Sequence, residues 1–240
     1  MTFALLVFLI TYVSMLAFPK YRPQIALCAA FLLTAAGVCG LYPMDFVSAV
    51  TAVDYNVLLM MAGTMGLVTL FAESRMPTLL SEKLLTHVPD VRWAVTILAL
   101  AAGVISAFVD NVATVLMMAP VGLAIARKIG ISPVPVLIAI AVSSNLQGAA
   151  TLVGDTTSIL LGSFAQMNFL DFFWMRGKPG IFWGVELGAL AAAFVLFFLF
   201  RDMKQPLFVK EETQVTDLFP TILMAAVVLL FIVVSFLPTP

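Results

Sequence analysis

Long apolar runs alternate with short polar ones along the chain, and the apolar runs have the length of membrane helices. A span needs about 20 apolar residues. Residues 2–18, 24–41 and 56–71 form the first three such runs. A basic turn, Pro19-Lys20-Tyr21-Arg22-Pro23, separates the first two, and Tyr42-Pro43-Met44-Asp45 closes the second without Lys or Arg. The third carries Gly63 and Gly66, small residues that allow close helix packing. Residues 73–92 then change character, with Glu73, Arg75, Glu82, Lys83, His87, Asp90 and Arg92 set among leucines. That stretch is too charged to span and is predicted to lie along the interface as an amphipathic segment. Residues 179–200 and 218–237 are further spans, with Pro179 at a favourable first-turn position. A charged loop over 201–217, holding Lys210-Glu211-Glu212, joins them.

Two polar knots interrupt the middle of the pattern. The first is Asp110-Asn111-Val112-Ala113-Thr114. The second runs over residues 143–158 and holds Ser144, Asn145, Gln147, Gly148, Thr151, Gly154, Asp155 and Thr156. A carboxylate at the centre of a membrane helix costs about 2.5–3.5 kcal/mol, so acids there carry function by default. The apolar arms 93–109 and 114–126 are each short for a span. Two short arms around a polar tip predict a re-entrant helical hairpin over 93–126, tolerable where protein or water lines the tip. A competing reading makes 93–109 one full span with Asp110 at the far interface, and periodicity does not decide between them. The second knot sits between apolar segments 133–142 and 159–165, which predicts a discontinuous helix over 133–165. The expected fold is therefore an all-α membrane protein: scaffold helices over 1–72, an interfacial segment, a re-entrant hairpin, a discontinuous helix and the later spans.

Composition agrees with the pattern. The chain is 62% hydrophobic and 10% charged, against about 25% charged in soluble domains, and its mean hydropathy is +1.12. A net charge of −1 gives no reason to expect nucleic acid. Residues 1–18 have no basic lead-in and no small-residue cleavage motif before Pro19, so a first span is expected there rather than a leader. Charge placement sets the orientation. With a re-entrant hairpin, one side receives Lys20, Arg22, Arg75, Lys83, Arg92, Arg127, Lys128, Arg201, Lys204 and Lys210, and the other only Arg176 and Lys178. The basic side is expected to be cytoplasmic, with the N-terminus outside, in a cell (inner) membrane. Were 93–126 a single crossing, the bias would disappear. Cys28 and Cys39 share a helix face roughly 16 Å apart, too far for a disulfide. They read as small apolar residues, with a thiophilic metalloid site as the alternative. His87 reads as a solvated interfacial histidine, and Glu186 as an acid within reach of the interface.

The stretch Ser106-Ala-Phe-Val-Asp110-Asn111-Val-Ala-Thr114-Val-Leu-Met-Met-Ala-Pro120 resembles the first hairpin tip of the ion transporter superfamily, which includes arsenite permeases and the pink-eyed dilution protein. Asn145-Leu-Gln147-Gly148-Ala-Ala-Thr151-Leu-Val-Gly154-Asp155 resembles the broken helix of the same branch, and Val53-Asp54-Tyr55 its approach to the third span. Two departures stand out: Gln147 replaces a glycine, and Thr156-Thr157-Ser158 replaces Pro-Pro-Asn. The resemblance implies two inverted repeats, of which this chain holds the first and one span toward a second. It implies a second half, in a longer protein or as a partner or homodimer.

A helix break frees backbone carbonyls and amides. Carbonyls with Asn, Thr and Ser oxygens suit a hard cation such as Na⁺, and amides at a helix N-terminus suit an anion. Asp110 is read as a proton or Na⁺ carrier, with capping of the second arm as its alternative role. Asn111 and Thr114 orient the tip. Ser144, Asn145, Thr151 and Thr156 supply oxygens, and Gly148 and Gly154 let the backbone approach the ion. Asp155 is a second acid or a helix cap. Asp110, Asn111 and Asn145 are the candidate Na⁺ ligands. No cofactor is expected beyond a coupling Na⁺ or H⁺. The expected function is secondary active transport of a small anion, an oxyanion or metalloid, or a cation, across the bilayer. The alternatives are an intramembrane aspartyl hydrolase using Asp110 and Asp155, and a non-transporting membrane subunit or truncated copy.

Overall fold

The structure, a computed structural model, describes residues 2–40, 46–206, 213–215 and 217–237. The predicted close of the second span at 42–45 and the charged run 210–212 lie outside the described residues. The chain forms two compact units, Met1–Asn56 and Val57–Pro240.

In the first unit, α1 (Thr2–Ala17) and α2 (Arg22–Val38) pack together across a 3-10 turn at Pro19–Tyr21, and a short helix α3 (Phe46–Thr51) follows. Pro19 and Pro23 fit at helix starts, where a missing N–H removes no intrahelical bond. Nearly every large apolar side chain here is exposed, as Phe31 shows at 77%. A surface of that kind suits lipid rather than water. Cys28 and Cys39 are both exposed free thiols.

The second unit holds α4 (Tyr55–Glu73) from Val57 on, α5 (Met76–Leu85), α6 (Val91–Ser106), α7 (Asn111–Ile129), α8 (Val134–Gly148), α9 (Thr156–Ala165), α10 (Ile181–Leu199) and α11 (Phe219–Ser235). Its core lies between α6, α7 and α8, where Ala94, Ala99 and Ala102 are fully buried and bring the helix backbones close. The register fixes the directions. Ser106, at the end of α6, meets Ser144 near the end of α8, and the earlier α6 residues Ala94, Leu98 and Ala102 share one core with Val136, Ala139 and Ile140 at the start of α8, so α6 and α8 run parallel. Asn111 bonds Asn145 while Gly122 packs against Val136 and Ile140, so α7 runs antiparallel to both. Residues 93–126 therefore fold back on themselves and do not form a single straight helix. The second arm is longer than the pattern predicts, because Asn111 to Thr114 form its first helical turn.

The α8–α9 pair is interrupted at 149–155, as expected for a discontinuous helix. Within the 168–178 turn lies a two-strand hairpin, β1 (Trp174–Met175) and β2 (Lys178–Pro179), which the sequence reading did not anticipate. Its turn residues Arg176 and Gly177 both have positive φ, 51° and 78°, the geometry of a type I′ turn. Pro179 thus ends a strand, and Gly180 precedes α10. Past α10, the chain returns to the start of α6. Val91 N–H donates to Gln205 O (3.2 Å) and Arg92 N–H to Met203 O (3.2 Å). Arg92 pairs with Asp90 and stacks 4.1 Å over Phe197. Farther on, the Thr213 N–H and hydroxyl both donate to the Glu82 carboxylate, at 3.0 and 2.8 Å.

On α5, Pro77, Ser81 and Leu85 are buried at four-residue spacing and Lys83 is exposed, giving the amphipathic helix the pattern requires. Among the described residues, four helical stretches are long and apolar enough to cross a membrane: Pro19–Val38, Phe46–Glu73, Asn111–Ile129 and Ile181–Leu199. The molecule is an all-α membrane protein.

Candidate functional site

The two polar knots come together where four helix ends converge. The C-terminal ends of α6 and α8 and the N-terminal ends of α7 and α9 meet around Gly154. A methyl group on Gly154 would lie 2.5 Å from Gly148 O and 2.7 Å from both Ser106 O and Ala107 O. Glycine is required there because three backbone carbonyls occupy the space of a side chain. Gly148 is looser, since its missing Cβ would make ordinary contact with Ser106 Oγ, Asp155 Cβ and Gly154 O.

Each acid stands at a helix N-terminus. Asp110 caps α7, its Oδ2 accepting from the Val112 and Ala113 N–H groups at 3.1 Å each. A carboxylate there satisfies orphan amides and complements the helix dipole. Asp155 precedes α9 with extended backbone, but its side chain makes no capping bond to the helix amides. It accepts instead from the hydroxyls of Thr156 (3.3 Å) and Thr157 (3.1 Å). Asp110, Asp155 and Thr156 line one small cavity of about 10 Å³, near the size that holds a single water. Its other walls include Val153, Gly154 and Ile159, and from α4 Thr64, Met65 and Val68.

The remaining predicted residues tie the knots together or stand apart. Thr151 Oγ1 donates to Ala107 O, which pins the break to the hairpin turn. Ser144 Oγ donates to Asn111 O (3.1 Å) and is hydrogen-bonded to the Ser106 hydroxyl (3.0 Å). Asn111 Nδ2 donates to Asn145 Oδ1 (2.9 Å). That pair sits in a different space from the acids, an open and mostly apolar groove of about 700 Å³ between α7 and α8. The three candidate Na⁺ ligands thus fall into two places: Asp110 at the cavity, Asn111 and Asn145 at the groove. Thr114 is fully buried and its hydroxyl has no partner. Gln147 is 1% exposed, lies against Gly103, and leaves its Oε1 unpartnered.

Among the described residues, no group of three or more His, Cys, Asp or Glu is gathered to hold a metal ion. Any cation here would rely on neutral oxygens beside one or two carboxylates. His87 is exposed and bonded within its own turn. Sequence reasoning missed the contribution of α4, although Thr64 is a polar residue flanked by Gly63 and Gly66 in an apolar span.

Fold and site together define an integral membrane protein built around two interrupted helices whose polar ends meet inside the bundle. Residues 4–240 match the citrate transporter family, CitMHS, and the chain belongs to that family. It is 31% identical over 172 residues to an uncharacterized transporter of Mycobacterium tuberculosis, across 70% of this chain and 40% of that protein. It is 30% identical over 167 residues to the P protein of Homo sapiens, across 69% of this chain and 20% of that one. A shorter match, 38% identical over 81 residues, links it to the magnetosome protein MamN of Paramagnetospirillum magneticum, across 34% of this chain and 18% of that one. The chain thus spans two fifths or less of these relatives. No solved structure matches it.

Proposed function

We propose that this chain forms one half of a cation-coupled secondary transporter, with the coupling Na⁺ or H⁺ held between the hairpin tip and the helix break. The observation that carries this reading is the shared cavity of Asp110 and Asp155, framed by helix ends. Such breaks place carbonyls and helix termini around ions at mid-membrane. The cargo is a small anion, an oxyanion or metalloid, or the cation itself, and the family description favours a carboxylate such as citrate. The hairpin 93–126 enters from the basic, cytoplasmic side without crossing, and the N-terminus lies outside. The second half comes from a longer chain or a second copy. Membership of a transporter family weighs against the hydrolase alternative. So does Asp110, whose carboxylate already serves two backbone amides.

The test is thermal stability of the purified chain in detergent, with Na⁺ against choline at several pH values. A ligand bound only by the folded state stabilises it by about 2.7 kcal/mol at a hundredfold excess over its Kd. A rise in Tm with added Na⁺, or with falling pH where H⁺ is the bound ion, that disappears in Asp110→Asn is the expected result. Stability indifferent to both would leave a non-transporting subunit as the better reading.

A further inference from the structure

Thr64 lies on a helix that the hydrophobic pattern treats as scaffold, yet its face of α4 touches both halves of the site. Met60 packs against the cluster containing Leu152 and Val153 in the break. Val68 packs with Val109 at the hairpin tip. Residues 60, 64 and 68 recur every four positions and so share one helix face. Thr64 therefore stands between tip and break, at the wall of the cavity that Asp110 and Asp155 line.

The hydrogen of its hydroxyl is already engaged, donated to Met60 O (2.9 Å) and Met61 O (3.1 Å) of its own helix. Only oxygen lone pairs remain to meet a ligand. The other polar side chains of the cavity are alike in this. The carboxylates of Asp110 and Asp155 accept, and the Thr156 hydroxyl already donates to Asp155. A small cavity whose side chains offer acceptors suits a hard cation or a protonated water and disfavours an anion.

We propose that Thr64 is a cation-binding residue of this site, through which α4 holds the coupling ion together with Asp110 and Asp155. This rests on the cation-coupled reading above. It also makes α4 part of the ion site, so that binding ties this helix to both interrupted helices.

The experiment compares Thr64→Val, Thr64→Ser and Thr69→Val in the full chain, by Tm against Na⁺ with choline as control. Valine matches threonine in shape and lacks the oxygen, while serine restores it. Thr69 is exposed on the same helix, donates to Met65 O (2.9 Å) in the same way, and is absent from the cavity wall. Thr64→Val is expected to weaken apparent Na⁺ affinity roughly tenfold or more, the scale of losing a supporting group at an ion site. Thr64→Ser and Thr69→Val are expected to keep it. Should the wild type respond to pH and not to Na⁺, the same comparison is read on the midpoint of the pH response. If Thr64→Val keeps wild-type affinity while Asp110→Asn loses it, the assignment of Thr64 falls and cation coupling stands. If Thr64→Val and Thr69→Val lose affinity alike, the effect belongs to α4 as a helix and the assignment again falls. If the wild type responds to neither ion, both fall together.

Discussion

Asp110 and Asp155 occupy equivalent places at the starts of two helices and do different things there. Asp110 ties down two backbone amides, whereas Asp155 gathers two threonine hydroxyls. Asn caps a helix about as well as Asp. Asp110→Asn should therefore fold normally and report on charge alone, whereas Asp110→Ala should also lose about 1 kcal/mol of helix capping. Chemical denaturation of the two variants without added Na⁺ checks the difference. Gly154 is the opposite kind of position, where geometry leaves no choice. Gly154→Ala drives a methyl into three main-chain carbonyls, and main chain yields less readily than a side-chain tip. A loss of about 1–3 kcal/mol or more is expected, the scale of overpacking a well-filled interior. Calorimetry of the variant, in the absence of ligand, measures it.

At the scale of elements, the contact of α6 with α8 carries the site, since both knots hang from these two parallel helices. Gly103 and Gln147 form a matched pair across it. Gly103→Ala should destabilise, Gln147→Ala should relieve the clash, and the double-mutant cycle should show coupling within about 0.5–3 kcal/mol. The two interrupted helices were readable from the sequence because Asp, Asn and Thr in the middle of apolar runs have few structural explanations. The length of α7 was not. Asn111 and Thr114 look like loop residues, yet they occupy a first helical turn whose amides Asp110 caps. The β-hairpin was hidden for a similar reason: its strands are two residues each, too short for any alternation, and its signal reduces to Arg176-Gly177. Thr64 escaped notice because a threonine that bonds its own helix is unremarkable in an apolar span. Only its neighbours across space give it a role. The spacing of Asn111 and Asn145 likewise could not reveal that they pair with each other, away from the acids.

At the scale of the molecule, the second unit sorts its charge by end. Arg92, Lys128, Arg201 and Lys204 belong to the end where α6 starts, α7 finishes and residues 203–206 return to the start of α6. Arg176 and Lys178 lie in the two-strand hairpin after α9. In a background lacking Cys28 and Cys39, Arg92→Cys and Lys128→Cys should react with a membrane-impermeant thiol reagent from one side, and Lys178→Cys from the other. Labelling of Arg92→Cys and Lys128→Cys from opposite sides would overturn the re-entrant threading. The bias expected from the sequence rests on residue counts alone, because loop charge is a property of composition.

The crowding at Gly154 also bears on how such a protein can change over time. Every amino acid one nucleotide away from glycine carries a Cβ, so each single step from this codon meets the same carbonyl floor. The ring of side chains around it is under no such restriction. Gln147 and the Thr156-Thr157 pair already depart from the related pattern, and they do so without touching that floor. Variation is thereby channelled into the surrounding positions, while the meeting point of the helix ends stays fixed.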